Sequence, residues 1–252
     1  QTSEIIKPML IISLAHFFYN KKESLQWLAK QLGILAIVVL LVFIQPDLGS
    51  AVIISAIWFG MFLVSGPSKK QILAIIGLIL VSIPSAWLFL QDYQKQRILS
   101  FINPYSDPSG SGYNVIQSII AIGAGQFLGK GVRQGTQSQL KFLPERHTDF
   151  AFAAFGEEFG FVGITLLISA FMALLFWLLN AAERLRKFEK LIVLGVFWLF
   201  FVQFAINIGM NLGLMPVTGI TLPFVSYGGS SLVTSFASLG LAYSAYRGPV
   251  NT

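Results

Sequence analysis

The chain has 252 residues, of which 55% are apolar and 11% charged, with a mean hydropathy of +0.72. A soluble domain of this length needs a charged surface that this composition does not supply, so the class it points to is a membrane protein. The absence of cysteine excludes disulfides, thiol catalysis and thiolate metal sites, and the two histidines, His16 and His147, lie too far apart in sequence to suggest a metal cluster. The net charge of +6 raises nucleic-acid binding, but no recognition fold is visible and the basic surplus has a topological explanation.

A bilayer crossing takes about 20 mostly apolar residues. Seven stretches qualify: Ile5 to Tyr19, Trp27 to Ile44, Leu48 to Ser65, Gln71 to Leu90, Phe159 to Leu179, Leu191 to Leu212 and Phe224 to Tyr246. Gln45-Pro46-Asp47 forces a tight reversal between the second and third, because proline cannot continue a helix. The chain opens on Gln1 without a signal peptide pattern, and a fragment of a longer protein is expected. The expected fold is an all-α polytopic membrane protein, one domain over residues 1–252, with a large extracytoplasmic loop over 91–158.

Orientation follows from the basic residues. Lys21, Lys22, Lys30, Lys69, Lys70, Arg184, Arg186, Lys187, Lys190 and Arg247 fall near span ends in short loops on one side, which marks that side as cytoplasmic. Lys7 and the long loop's Lys95, Arg97, Lys130, Arg133, Lys141 and Arg146 fall on the other; Lys95 and Arg97 run against the rule. Within the loop, Tyr113 to Gly129 carries Val115, Ile116, Ile119 and Ile120 on one helical face, which predicts a short amphipathic helix, interfacial or re-entrant. The glycines from Gly123 to Gly135 read as a flexible turn. They do not form a P-loop, because Ala124 stands where the first glycine belongs and Gly131 follows Lys130 where Ser or Thr is needed.

Ionisable groups at the membrane edge are functional candidates by default. Glu4 and Lys7 lie one turn apart and form either a local ion pair or part of a site. Asp47 precedes Leu48 either as a helix cap or as a site residue. Gln203, Asn207 and Asn211 recur every fourth residue, so their amides either hydrogen-bond to neighbouring helices or line a polar groove. The run Ser226-Tyr227-Gly228-Gly229-Ser230-Ser231 is either a close-packed contact or a substrate-lining helix break. The densest constellation is Leu143-Pro144-Glu145-Arg146-His147-Thr148-Asp149-Phe150, followed by Glu157-Glu158. The helix dipole partly explains the two glutamates, and a cap role is open for Asp149.

The run Phe142 to Phe150, with Gly156-Glu157-Glu158-Phe159-Gly160, resembles the signature of the SEDS family (shape, elongation, division and sporulation), the RodA and FtsW proteins. Further matches are Ser3-Glu4-Ile5-Ile6-Lys7, Gln45-Pro46-Asp47-Leu48-Gly49-Ser50, Asn103-Pro104, Gly135 to Leu140 and Pro223 to Ser230. Arg146 before the histidine is nearer the RodA branch. Thr2 stands where the family usually has proline, a departure at the start of the first helix. The resemblance implies that the seven stretches correspond to the fourth to tenth helices of a ten-helix protein of the bacterial inner membrane. It also implies a peptidoglycan glycosyltransferase that polymerises lipid II during elongation, beside a class B penicillin-binding protein.

On that resemblance Asp149 is the base, the catalytic residue, and Lys7 is the first candidate to bind the pyrophosphate. Such a transfer needs a base at the acceptor hydroxyl and positive charge at the leaving phosphates, which adds Arg97 and Arg146. Glu4, Asp47, Glu145, His147, Gln203, Asn207 and Ser226 complete the expected substrate-binding set. Asp47 and Glu145 are oxygen ligands of the kind a divalent cation takes, although no metal or other cofactor is required by the sequence. Membrane lipid is a partner and nucleic acid is not. A flippase of lipid-linked precursor and a non-catalytic scaffold of the wall-assembly complex are the alternatives.

Overall fold

The computed structural model describes residues 1–22, 24–45, 47–104, 110–140 and 142–248. Pro46 of the expected reversal and Lys141 of the expected loop lie outside them. Among the described residues the secondary structure is helical throughout: α1 (Thr2–Tyr19), α2 (Leu25–Ile44), α3 (Leu48–Val64), α4 (Lys69–Phe89), α5 (Asp92–Ile102), α6 (Ser111–Ala124), α7 (Thr136–Gln139), α8 (Ala151–Glu183), α9 (Lys187–Asn211) and α10 (Gly229–Arg247). Each of the seven apolar stretches falls on a helix. Three of these helices, α2, α8 and α9, are long and apolar enough by length and composition to cross a membrane. Only 17% of the apolar stretch of α2 is buried, which leaves most of its Leu, Ile and Val side chains on the surface.

The chain gathers into two compact units. One holds Gln1–Phe89, Leu175–Val202 and the chain from Val233 on; the other holds Leu90–Leu174 and Gln203–Leu232. In the first, α3 packs against α1 and α2 over a core that includes Ile11, Phe18, Ile54, Trp58 and Phe62. The rings of Trp58 and Phe62 stack with centroids 5.2 Å apart. Close approach depends on glycine here, since a Cβ on Gly60 would run into the indole of Trp198 and one on Gly195 would come within 2.6 Å of Ile11.

Two of the basic residues assigned to the cytoplasmic side, Lys21 and Lys187, bond to helix ends in this unit. Lys21 donates to the carbonyls of Ser65 and Gly66 at the end of α3, and Lys187 donates to the carbonyl of Tyr19 at the end of α1, 3.0 Å away. Cations there satisfy carbonyls left over by the helix and oppose its dipole.

In the second unit α5 packs on α6, and α6 on α7. One apolar cluster joins Val115, Ala121, Leu143, Phe150, Ala153, Met210 and Val217; another is built on Phe152, Phe171 and Leu222. The expected extracytoplasmic loop is therefore largely helical. Its α5 begins with a reciprocal cap between Gln91 and Gln94.

The fifth apolar stretch begins earlier than expected, at Ala151, and breaks at Gly160 (φ 64°, ψ −163°). A continuous helix would bond Phe161 N–H to the Glu157 carbonyl and Val162 N–H to that of Glu158. Instead Phe161 and Val162 donate to the carbonyls of Gln126 (2.9 Å) and Phe127 (3.1 Å), while the carbonyls of Glu157 and Glu158 accept from Lys130 and Gly131, both at 3.0 Å. The neighbouring segment thus satisfies both halves of the break. This corrects the reading of the glycines as a flexible turn: a Cβ on Gly125 would collide with the Gly156 carbonyl and one on Gly129 with that of Glu158.

Gly160→Ala is expected to destabilise the protein by about 1–3 kcal/mol or more, because it forces a side chain into a backbone region kept for glycine. Gly123→Ala, on α6 with nothing within 4 Å of the added carbon, is expected to be neutral or slightly stabilising. Thermal unfolding of the detergent-solubilised variants checks both.

Candidate active site

In the first unit, α1 and the start of α3 bring three predicted residues together. Lys7 and Glu4 form the ion pair that their spacing allows, with Lys7 only 1% and Glu4 7% exposed. Burying such a pair costs several kcal/mol of desolvation, which only close charge-assisted contact offsets. Asp47 caps α3, as one reading held: Oδ1 accepts from Ser50 N–H at 2.9 Å. Its Oδ2 accepts from the Ser3 hydroxyl at 2.9 Å and the Gln1 amide at 3.0 Å. Partial burial pushes the Asp47 carboxyl up, but the bonds from Ser50 and Ser3 and the charge of Lys7 outweigh it and hold it below its ordinary value.

The second unit holds the signature turn. Glu145 takes a positive φ of 50°, and its carbonyl accepts from both Thr148 N–H (3.1 Å) and Phe150 N–H (3.2 Å). The chain folds back tightly on this strained residue. Helix α8 begins at Ala151, so Phe150 takes the cap position and Asp149 lies outside it. The carboxylate of Asp149 faces Gly219, where an added Cβ would lie 3.6 Å from Oδ2. Burial and then the negative charge of Glu145 push the Asp149 carboxyl above its ordinary value, against the smaller pull of Arg97 and the Thr148 hydroxyl. Arg97 of α5 is thereby within electrostatic reach of Asp149, with its guanidinium 5.7 Å from the ring centroid of Tyr93.

Arg146 donates from Nε to Nε2 of His147 at 3.1 Å, and its Nη1 is buried without a partner. Both side chains line a cavity of about 830 Å3 with Arg133, Ser138, Glu158 and Tyr227. Asp149 is not among its lining residues. The guanidiniums of Arg133 and Arg146 and the hydroxyls of Ser138 and Tyr227, beside the Glu158 carboxylate, suit the cavity to an anionic, hydroxyl-rich ligand.

The two asparagines of the amide stripe bond to neighbouring backbone. Asn207 and Asn211 are fully buried and both donate to the main-chain carbonyl of Asp149, while Gln203 is 3% exposed. Ser226 donates to the carbonyl of Thr148 at 2.6 Å and accepts from Leu222 N–H at 2.9 Å. Its run is not yet helical, since α10 starts only at Gly229.

Sequence reasoning counted Arg133 only as a loop cation and placed Tyr227 only within a run that was either close-packed or substrate-lining, and it explained Glu157 partly by the dipole of the helix it opens. The Glu157 carboxylate is fully buried and accepts from Gln137 N–H (2.8 Å) and Ser138 N–H (2.9 Å) at the start of α7, with Lys130 4.0 Å away. A glutamate so close to an apolar helix was a signal of burial, but its partners are about 20 residues distant in sequence. Among the described residues no group of three or more His, Asp or Glu side chains is placed to hold a metal ion.

An all-helical chain with apolar, lipid-length helices and a charged turn at the head of one of them defines an integral membrane protein. Residues 1–248 match the cell cycle protein family of FtsW, RodA and SpoVE, and the chain belongs to that family. It is 41% identical to the peptidoglycan glycosyltransferase MrdB of Escherichia coli (strain K12), over 98% of this chain and 68% of that protein. Among solved structures it is similar, over its whole length, to 71% of a chain from a peptidoglycan synthase complex in which polymerization and crosslinking are coordinated (TM-score 0.82, 34% identity). It is likewise similar to 67% of the rod shape determining protein RodA of Thermus thermophilus (TM-score 0.67, 27% identity).

The lowered Asp47 carboxyl makes a pH prediction. A depressed carboxyl contributes stability that is present above its unfolded value and is lost as pH falls through the folded one. Asp47→Asn is therefore expected to cost about 1 kcal/mol near neutral pH. That difference should close as pH drops below about 4, read as melting curves of parent and variant across pH.

Proposed function

We propose that the chain is a peptidoglycan glycosyltransferase that polymerises lipid II at the outer face of the bacterial inner membrane, with Asp149 as its general base. The observation that carries this reading is the Asp149 carboxylate: partly desolvated, fixed by its own backbone at the head of a membrane helix, and within reach of an arginine. The acceptor hydroxyl loses its proton to the carboxylate as its oxygen attacks the anomeric carbon of the donor. The bond from that carbon to the diphosphate breaks, and the polyprenyl diphosphate leaves with the electron pair. Arg97 and Arg146 offset the growing negative charge. Lys7, a candidate for the same role by its motif, is buried in its ion pair with Glu4 in the first unit, so this reading rests on the two arginines. The saccharide is held in the cavity beside Arg146 and His147.

The partner in this reading is a class B penicillin-binding protein, supported by the likeness to a chain of a peptidoglycan synthase complex. The flippase alternative drew on intramembrane polar residues, among them the polar stripe of α9, and on broken helices. With Asn207 and Asn211 engaged by main-chain carbonyls, that stripe offers little to a hydrophilic path.

Asp149→Asn is expected to abolish glycan polymerisation from purified lipid-linked precursor while the protein remains folded and inserted. The parent rate should fall on acidification at a higher pH than an ordinary carboxylate would give, since protonation of the raised carboxyl removes the base. Glycan chains from Asp149→Asn on a sizing gel would refute the assignment.

A further inference from the structure

Three consecutive carbonyls lead into α8, and each is held by a polar group from residues 207–227. The His147 carbonyl accepts from Tyr227 N–H at 2.7 Å, and that of Thr148 from the Ser226 hydroxyl at 2.6 Å. The Asp149 carbonyl accepts two side-chain amides, Asn207 at 3.1 Å and Asn211 at 3.0 Å. One donor would satisfy that carbonyl; two occupy both of its lone pairs and fix its direction. The amides are themselves anchored. Asn207 also donates to the Ile220 carbonyl at 2.7 Å. Asn211 also donates to the Asn207 carbonyl at 2.8 Å and accepts from Ala153 N–H at 3.1 Å. Both asparagines are 0% exposed, so neither meets a ligand, and burying two amides costs free energy unless every bond is made.

We propose that Asn207 and Asn211, seconded by Ser226, are positioning residues for Asp149: they lock its backbone so that only the side-chain torsions of the carboxylate remain free. The inference rests on Asp149 being the base, and deepens that reading. A misplacement of about 1 Å at a reacting group can cost about 100-fold in rate, which is the scale on which a fixed carbonyl two bonds from the Cβ matters.

The test measures polymerisation kinetics of the purified full chain on lipid-linked disaccharide diphosphate across pH. Asn207→Leu and Asn211→Leu remove the donors at similar volume. Each is expected to lower kcat about 10- to 100-fold with KM within about 2-fold of the parent. The acid limb of the profile should also move to lower pH, because a loosened carboxylate gains water and draws away from Glu145. The charged groups facing Asp149 are Glu145 of its own turn and Arg97 of α5.

Phe171→Leu, a core change chosen for a matching loss of Tm, lowers the active fraction without moving the limb. Asparagine variants that behave like Phe171→Leu would show a merely structural role and overturn the proposal. So would a raised KM at unchanged kcat, which would place the amides on substrate. Should the leucine variants fail to insert, Ser226→Ala gives the same reading, a smaller shift in the same direction that Ser226→Thr restores; no shift overturns the proposal. Asp149→Asn is assayed alongside. Its continued activity would end the base assignment together with this inference, whereas an inactive Asp149→Asn beside an unmoved limb ends the inference alone.

Discussion

A peptide carbonyl shut away from water must find a donor inside the protein, and this constraint shapes the second unit around residues 147–149. A buried group left unpaired costs several kcal/mol. The end of α9 and the Ser226-Tyr227 pair supply the donors, so the charged turn from Glu145 to Asp149 is tied to buried asparagines. The geometry of the candidate base thus follows from backbone satisfaction. The apolar cluster of Leu143, Phe150, Met210 and Val217 closes over the same segments and keeps water away from those bonds.

The break at Gly160 obeys the same rule further along α8. Two intrahelical bonds are given up there, and residues 126–131 restore both halves. That exchange sets how closely the segment after α6 approaches α8, and hence why Gly125 and Gly129 have no room for a side chain. It also brings Lys130 and the start of α7 to the buried Glu157, which holds Ser138 along the cavity wall, while the Glu158 carboxylate accepts from Arg133 N–H at 3.0 Å. A local helix defect becomes a way of building a polar site at the head of an apolar helix.

Where hydropathy alone decides, sequence and structure agree: each of the seven apolar stretches is on a helix, and α2 and α3 pack on each other. The Glu4–Lys7 pair and the Asp47 cap were also visible, because i,i+3 spacing and cap chemistry are local. Helix α5 was not. Its run from Asp92 to Arg97 is polar, and its helicity depends on packing against α6 and on the Gln91–Gln94 cap. The period of Asn207 and Asn211 was plain, but their acceptor lies about 60 residues away. No pattern along the chain distinguishes a backbone clamp from a groove lining. The glycines misled for a related reason, since φ freedom and close approach leave the same mark on a sequence.

The account depends on the Asp149 turn facing the outside of the cell, where a saccharide head group would meet it. The natural absence of cysteine makes that measurable by single substitutions. Pro144→Cys and Lys70→Cys, both at exposed positions, can be treated in intact spheroplasts with a membrane-impermeant maleimide. The account predicts labelling at position 144 before permeabilisation and at position 70 only after it. Labelling at position 144 only after permeabilisation would put the carboxylate in the cytosol and contradict the proposed polymerase.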